Sequence, residues 1–129
     1  MTLDDTTRQL VDGANFAVLA TVNPDGSPQT SVIWVGLEGD AVVFSSTTAR
    51  KKTRNIVRDP RVSVTVIDSA NPYRTVEIRG KAEVIDDPTR EVGRRLSHKY
   101  VGEDPPADPP GVKRVRVRVV PETVIGLSL

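Results

Sequence analysis

Apolar side chains alternate with polar or small ones along most of this chain, and a two-residue period of this kind predicts β-strands. Phe16, Val18, Ala20 and Val22 follow the period in the first such stretch. The pattern predicts six strands, at Phe16–Val22, Gln29–Leu37, Ala41–Thr47, Val62–Val66, Val76–Val84 and Val112–Val120. Residues 124–129 are compatible with a continuation of the sheet.

Turn signals join the first three strands into a meander. The segment Asn23–Pro28 and the tight turn Glu38–Asp40 carry the Asn, Asp, Gly and Pro residues that favour chain reversal. Between the strands, the spacing of apolar positions predicts three helices: one over Thr2–Asn15 with Thr2 as its cap, one over Thr48–Asp59, and one from Asp87 to Tyr100.

The order of these elements argues against a doubly wound parallel sheet, in which strands and helices alternate regularly. It predicts a mainly β fold, a six-stranded antiparallel barrel with peripheral helices at its open ends. A chain of 129 residues is long enough for one such core, so a single domain over residues 1–129 is expected.

A basic segment follows the third strand and is the strongest chemical signal. Arg50, Lys51 and Lys52 fall in the first turn of a predicted helix, where the helix dipole favours anions. Ser45, Ser46, Thr47 and Thr48 precede them and add hydroxyl groups. This pattern favours a phosphate or another anion at the helix start. The alternative is a solvated basic face, with or without neutralising acids from elsewhere in the fold.

The second predicted strand is apolar on both faces. Val32 and Trp34 point one way, whereas Ile33 and Val35 point the other way. Such a strand must be covered on both sides, and a small barrel covers only one. The second cover is therefore a partner subunit or a planar ligand, unless Trp34 is an ordinary core side chain.

Composition removes several classes of site. The chain has no Cys and one His, so thiolate metal sites, a cysteine nucleophile and a multi-histidine metal site within one subunit are excluded. No catalytic acid–base pair and no metal site is predicted; we interpret His98 as a surface or interface residue. The acidic N-terminus and the lack of a long apolar run lead us to expect a cytoplasmic protein with no membrane partner.

Two further segments have more than one interpretation. Arg114, Arg116 and Arg118 lie on one face of the last strand and could contact nucleic-acid phosphates, but edge protection is the more common role for such residues. With 4% aromatic residues, few side chains could stack on bases, so nucleic-acid binding is not favoured. The segment Glu103–Gly111 holds four prolines and is expected to be an extended surface loop.

Five segments occur in an order that resembles a known family. They are Ala17–Val22, Asp25–Gln29, Arg50-x-Lys52-Thr53-x-Asn55, Arg58–Val62 and Val76–Glu83. Together they resemble the pyridoxamine 5′-phosphate oxidase-like flavin and deazaflavin oxidoreductases, in particular the short actinobacterial branch that uses coenzyme F420. The resemblance implies a split β-barrel, a homodimer with two cofactor sites at its interface, and hydride transfer to a small conjugated molecule.

The resemblance also implies which residues hold the cofactor. Residues 30–34 would lie along the ring, Ser45 and Ser46 would meet the ribityl-phosphate region, and the cations at 50–52 would hold the phosphate. The candidate cofactor-binding residues are Thr30, Ser31, Val32, Ile33, Trp34, Ser45, Ser46, Thr47, Arg50, Lys51, Lys52 and Thr53.

Coenzyme F420 has an anionic tail beyond its phosphate, so its binding needs more positive charge than the binding of FMN. F420 is preferred because this chain has further arginines that can supply that charge. Arg54 and Arg58 follow Arg50 at helical spacing and could extend the basic strip along such a tail. Arg74, or the arginines within residues 114–118, could also do so. The alternatives are a non-enzymatic flavin, deazaflavin or haem carrier and, less favoured, a basic nucleic-acid-binding barrel.

Overall fold

Seven strands and three helices form the fold in the computed structural model, which describes residues 1–128. The strands are β1 (Phe16–Val22), β2 (Pro28–Ile33), β3 (Gly36–Glu38), β4 (Ala41–Thr47), β5 (Arg61–Ile67), β6 (Arg74–Asp86) and β7 (Arg114–Ser128). The helices are α1 (Asp5–Asp12), α2 (Lys51–Arg58) and α3 (Glu91–Val101). The prediction of a mainly β fold with peripheral helices is confirmed.

The strands form one sheet in the order β2-β1-β5-β6-β7-β4-β3, and all neighbours are antiparallel. The two edge strands, β2 and β3, are separated in the chain only by Trp34 and Val35. Three Cα–Cα steps span at most about 11 Å. The sheet must therefore roll until its edges approach at one end, but among the described strands β2 and β3 do not pair with each other, so the rolled sheet stays open.

The predicted second strand, Gln29–Leu37, is two strands, so the open sheet of residues 1–128 has seven strands and the expectation of a six-stranded sheet was wrong. The break falls where the chain crosses from one sheet edge to the other. There the backbone of Val35 bonds to side chains instead of to a neighbouring strand: its N–H donates to the Tyr100 hydroxyl at 3.3 Å and its carbonyl accepts from the Lys99 amine. Helix α3 thus supplies the hydrogen bonds that the interrupted ladder lacks.

The barrel interior follows from strand alternation. Phe44 of β4 and Val115, Val117 and Val119 of β7 are buried and face inward. The residues between them on β7 are arginines on the outer face. The long β6–β7 pair bends at a register shift between Arg79 and Gly80.

A glycine inside a strand indicates that another backbone segment approaches it closely. At Gly80 of β6, the backbone of β7 does so. A Cβ at this position would lie 2.0 Å from the carbonyl oxygen of Val120, so no side chain fits there without moving the opposite strand.

Helix α1 begins later than predicted. Its cap is Asp4, whose carboxylate accepts from the Thr7 N–H at 2.7 Å, and not Thr2. The hydrogen bond to Thr7 is the main reason that the pKa of Asp4 lies below its usual value. A carboxylate also suits the positive end of the helix dipole, which explains why the aspartate takes this position.

Helix α3 also begins later, at Glu91, with Arg90 before it in the left-handed conformation at φ 57°. Asp87 still serves this helix, because its carboxylate accepts from the N–H groups of Glu91 and Val92 at 3.2 and 3.1 Å. None of the helices within residues 1–128 is long and apolar enough to cross a membrane.

Candidate functional site

An open cleft of about 580 Å³ lies where α2, α3 and the proline-rich loop meet the sheet. Strands β1, β2 and β4 contribute to it, as do the start of β7 and the residues just after β2. Its lining is Phe16, Val32, Ile33, Trp34, Ser45, Ser46, Arg50, Lys52, Arg90, Gly93, Leu96, Pro105, Pro106, Ala107, Asp108 and Arg114.

The cleft brings together seven of the twelve residues that the sequence nominates as cofactor-binding. These are Val32, Ile33, Trp34, Ser45, Ser46, Arg50 and Lys52. The other five, Thr30, Ser31, Thr47, Lys51 and Thr53, lie outside the lining. Thr30 is exposed, and Ser31 has a buried hydroxyl with no hydrogen-bond partner among the described residues.

Buried hydrogen bonds fix the position of α2. The hydroxyls of Ser46 and Thr53 lie 2.8 Å apart, so Thr53 holds the helix against β4 instead of facing the cleft. The buried Asn55 amide donates to Thr21 Oγ1 at 3.0 Å and to Asn23 Oδ1 at 3.1 Å. These contacts set where the first turn of the helix points.

The start of α2 carries positive charge that nearby acids do not neutralise. Arg50 is its N-cap and makes no side-chain cap hydrogen bond. Within residues 1–128, neither Arg50 nor Lys52 has a carboxylate within 4 Å. Burial lowers the pKa of Lys52, and the charge of Arg50 lowers it further. Acids from elsewhere in residues 1–128 therefore do not pair with Arg50 or Lys52, and a solvated basic face stays the alternative interpretation of this segment.

Farther along α2, the guanidinium of Arg58 donates to the carbonyl of Val22 and to Asn55 Oδ1. These two contacts direct Arg58 toward β1, although its side chain is exposed. The expectation that Arg58 extends the basic strip stays a prediction. Arg54 is exposed.

The apolar side of the cleft is open to solvent. Val32 is 67% exposed, Phe16 is 60% exposed and Trp34 is 39% exposed, whereas Ile33 and Val35 are buried. The Trp34 ring stacks on Tyr100 with centroids 5.2 Å apart and planes 6° apart. Trp34 is thus a cleft side chain on an aromatic support, and its interpretation as a core residue is wrong.

The sequence did not indicate the opposite wall of the cleft. Asp108 of the proline-rich loop accepts from Arg114 at 2.7 and 2.8 Å and lies 3.3 Å from Arg90. Hydrogen bonds from Arg114 are the main reason that the pKa of Asp108 is lowered. Arg90 also donates to the carbonyl of Pro106 at 2.9 Å. The expected surface loop therefore forms a wall of the cleft.

The other two arginines of β7, Arg116 and Arg118, form ion pairs with acidic side chains outside the cleft. Arg116 lies 3.2 Å from Glu38, and Arg118 lies 3.5 Å from Glu38 and 3.9 Å from Glu83. His98 is exposed on α3 and lies 2.7 Å from Asp104.

Comparisons with known proteins agree with this architecture. The family model described as pyridoxamine 5′-phosphate oxidase matches residues 3–128. A solved F420 reductase is 36% identical, with 95% of this chain and 98% of that chain covered and a TM-score of 0.83. A conserved hypothetical protein from Mycobacterium tuberculosis is 26% identical over 99% of this chain and 86% of its own, with a TM-score of 0.80.

An FMN-binding protein from Nostoc punctiforme, described as related to pyridoxamine 5′-phosphate oxidase, shares the fold. It is 19% identical over 90% of this chain and 75% of its own, with a TM-score of 0.67. Because the family model covers nearly all of the described chain, this protein belongs to the pyridoxamine 5′-phosphate oxidase family.

Proposed function

We propose that this protein is an oxidoreductase that binds coenzyme F420, or else FMN, in the cleft and transfers a hydride to a small conjugated organic substrate. The observation that carries the proposal is the pairing of two unneutralised cations, Arg50 and Lys52, with an exposed apolar strand in one cleft. A phosphate and an attached planar ring need both features.

The start of α2 suits a phosphate. The free N–H groups of the first turn and the helix dipole favour an anion there. Arg50 and Lys52 add charge and hydrogen-bond donors, and Ser45 and Ser46 belong to the same cleft lining. A bound phosphate would also favour the protonated form of Lys52, whose pKa burial lowers.

The strand beside the cations suits a flat ring. Because β2 is a sheet edge, half of its backbone N–H and C=O groups have no partner strand. These groups can bond to the polar edge of a ring system along residues 30–34, while Val32 and Trp34 supply apolar area. The bound cofactor would supply the hydride chemistry. The protein's own residues bind it, orient it and exclude water, and no side-chain acid or base is needed.

The relatives support the choice of cofactor. The 36% identical F420 reductase favours the deazaflavin, and the FMN-binding relative shares only the fold. Arg54 is still exposed on α2 and can meet an anionic tail. We prefer F420 on these grounds.

The proposal includes a homodimer. The exposed apolar side chains of Phe16 and Val32 lie next to the cleft, and a second copy would bury them as it closes the site. This arrangement meets the need for a second cover on this strand, which the sequence already indicates.

Equilibrium binding of the full chain to F420 and to FMN, followed by cofactor fluorescence, tests the proposal. In the double variant Arg50→Ala/Lys52→Ala, we expect F420 affinity to fall on the order of a hundredfold, because two charge-assisted contacts are lost. The matched control is Arg79→Ala/Lys81→Ala, which removes two cations from β6, a strand with no residue in the lining of the cleft.

The outcomes separate the alternatives. If neither cofactor binds, or if both double variants weaken binding equally, the proposal is wrong. If FMN binds more tightly than F420, the site stands and the preference for F420 is wrong. Turnover with the reduced cofactor and a panel of enones and quinones then separates an enzyme from a carrier that binds the same molecule.

A further inference from the structure

A second charged cluster lines the cleft, and binding of a cofactor phosphate at α2 does not use it. It consists of Arg90, Asp108 and Arg114, whose side chains are 17%, 19% and 23% exposed. Both arginines share the one carboxylate, so the cluster carries a net charge of +1 in partly desolvated surroundings. In such surroundings a charge interacts more strongly with a ligand than it would in bulk water.

The two guanidinium groups keep unused donors. Asp108 accepts from Nε and Nη2 of Arg114, and the Nη1 of Arg114 has only the long 3.5 Å contact with Ser45 Oγ. The buried Nε of Arg90 lies 3.3 Å from Asp108 Oδ2, and this ion-pair contact does not have hydrogen-bond geometry. A ligand oxygen that accepts from the remaining donors of the two guanidinium groups would complete the arrangement.

This cluster reaches the cleft from the outer face of the sheet. Arg114 pairs with Thr47, and directly paired residues point to the same face, which is also the face of Ser45. Ser46 and Thr53 lie on the inner side, where α2 packs. The cluster is therefore distinct from the α2 cations. Apolar side chains lie near it in the lining, among them Leu96 and Pro105.

We propose that Arg90 and Arg114 form a substrate subsite that binds the carboxylate of a planar conjugated acid. Asp108 is a positioning residue, which orients both guanidinium groups and limits the net charge of the subsite to one. Only the identification of this carboxylate as a substrate rests on the proposed oxidoreductase function. The binding itself is testable without any cofactor.

The test compares two probes that differ in charge. Sorbate is a planar conjugated carboxylate, and sorbamide is its uncharged amide. Binding of each to the full-length protein is followed by quenching of Trp34, the only tryptophan and a residue of the cleft lining. The readout is the ratio of sorbate to sorbamide affinity. We expect the wild-type protein to prefer sorbate by about tenfold, as a charge-assisted contact predicts.

Three variants locate the preference. Arg114→Gln should abolish most of it. Asp108→Asn should increase the ratio, because it removes a negative charge and keeps an oxygen that can accept from Arg114. The three cluster residues also line a neighbouring cavity of about 590 Å³, so the control must lie outside both spaces. The matched control is Arg79→Gln, since Arg79 is likewise paired with an acid, Glu77, but lines neither the cleft nor that cavity. This control should leave the ratio unchanged.

Other outcomes overturn the proposal. It is wrong if the wild-type protein binds both probes equally or binds neither. It is also wrong if Arg50→Ala/Lys52→Ala removes the preference while Arg114→Gln keeps it, because sorbate would then occupy the phosphate site. A decrease of the ratio in Asp108→Asn would mean that Asp108 has a structural role only. None of these results depends on whether F420 or FMN binds.

Discussion

At the scale of single residues, Lys99 is one of the two α3 side chains that bond to the crossing between the two sheet edges. The Lys99 amine donates to the carbonyls of Val11 and Val35, and it lies 4.8 Å from the centroid of the Tyr100 ring. Burial is the main reason that the pKa of Lys99 is lowered, to about 8. The nearby charge of Asp12 opposes this shift.

This pKa has a consequence for stability. Since the unfolded chain keeps the ordinary value of 10.5, it binds more protons than the folded chain above about pH 8. The Lys99 contribution to the free energy of unfolding should therefore rise with pH in that window. We expect the wild-type protein to gain stability relative to Lys99→Met between about pH 8 and pH 9.5, measured by urea denaturation. A constant difference between the two proteins would contradict this prediction.

Individual site residues differ in how well the sequence predicts them. Arg50 and Lys52 could be predicted because their charge has the wrong sign for a helix start, which is a local signal. Arg90 and Asp108 could not, because their meeting depends on a loop that is distant in sequence from Arg90 and on a left-handed residue with no local marker. Tertiary contacts that join distant segments leave no periodic pattern.

At the scale of elements, α2 is the part that positions the proposed phosphate site. Its own propensity is weak for eight residues, so its placement depends on the buried side chains Thr53 and Asn55. Asn55 joins the helix to β1 through its two hydrogen bonds. The helix and its cations should therefore respond to a change at Asn55, although this residue lies outside the cleft lining.

We expect Asn55→Ala to lower the free energy of unfolding by about 1–3 kcal/mol, since buried partners lose their hydrogen bonds. The same variant should weaken F420 binding, because the first turn of α2 is no longer fixed. Denaturation and binding measured on the same preparation check both effects. Arg54→Leu is the control for stability, because Arg54 is exposed. A destabilised variant with unchanged cofactor affinity would show that the position of α2 does not matter for binding.

Element boundaries show where sequence patterns stop being sufficient. Alternation placed β1 and β4 correctly, because burial of one face dictates that period. The predicted meander of three adjacent strands was wrong, because β2 pairs with β1 at one sheet edge and β3 pairs with β4 at the other. Alternation could not show the break between β2 and β3, since Trp34 and Val35 continue the apolar pattern while the chain changes sheet edge. The break depends on hydrogen bonds from α3, which a local window of sequence does not contain.

At the scale of the whole molecule, the rolled sheet leaves an apolar surface on one side of the cleft. The exposed side chain of Val32 lies on the edge strand β2 and that of Phe16 on the neighbouring strand β1, where Val32 pairs with Val18. A single chain offers no further element in residues 1–128 to cover them. A second copy with the same surface can do so by two-fold symmetry, which is the commonest form of assembly.

This geometry leads to a prediction about assembly and binding together. We expect sedimentation of the wild-type protein to give twice the 14.0 kDa chain mass. Val32→Lys should dissociate the dimer and weaken F420 binding, because a buried charge without a partner opposes association. Val101→Lys is the matched control, since Val101 is also exposed but lies at the end of α3 outside the cleft.

The combination of outcomes shows which part of the proposal fails. A wild-type monomer that binds F420 would contradict the homodimer and leave the phosphate site intact. A dimer that survives Val32→Lys would place the interface elsewhere on the barrel. If Val32→Lys gives a folded monomer with unchanged F420 affinity, one subunit suffices for the site, and the exposed strand needs no partner in order to bind the ring.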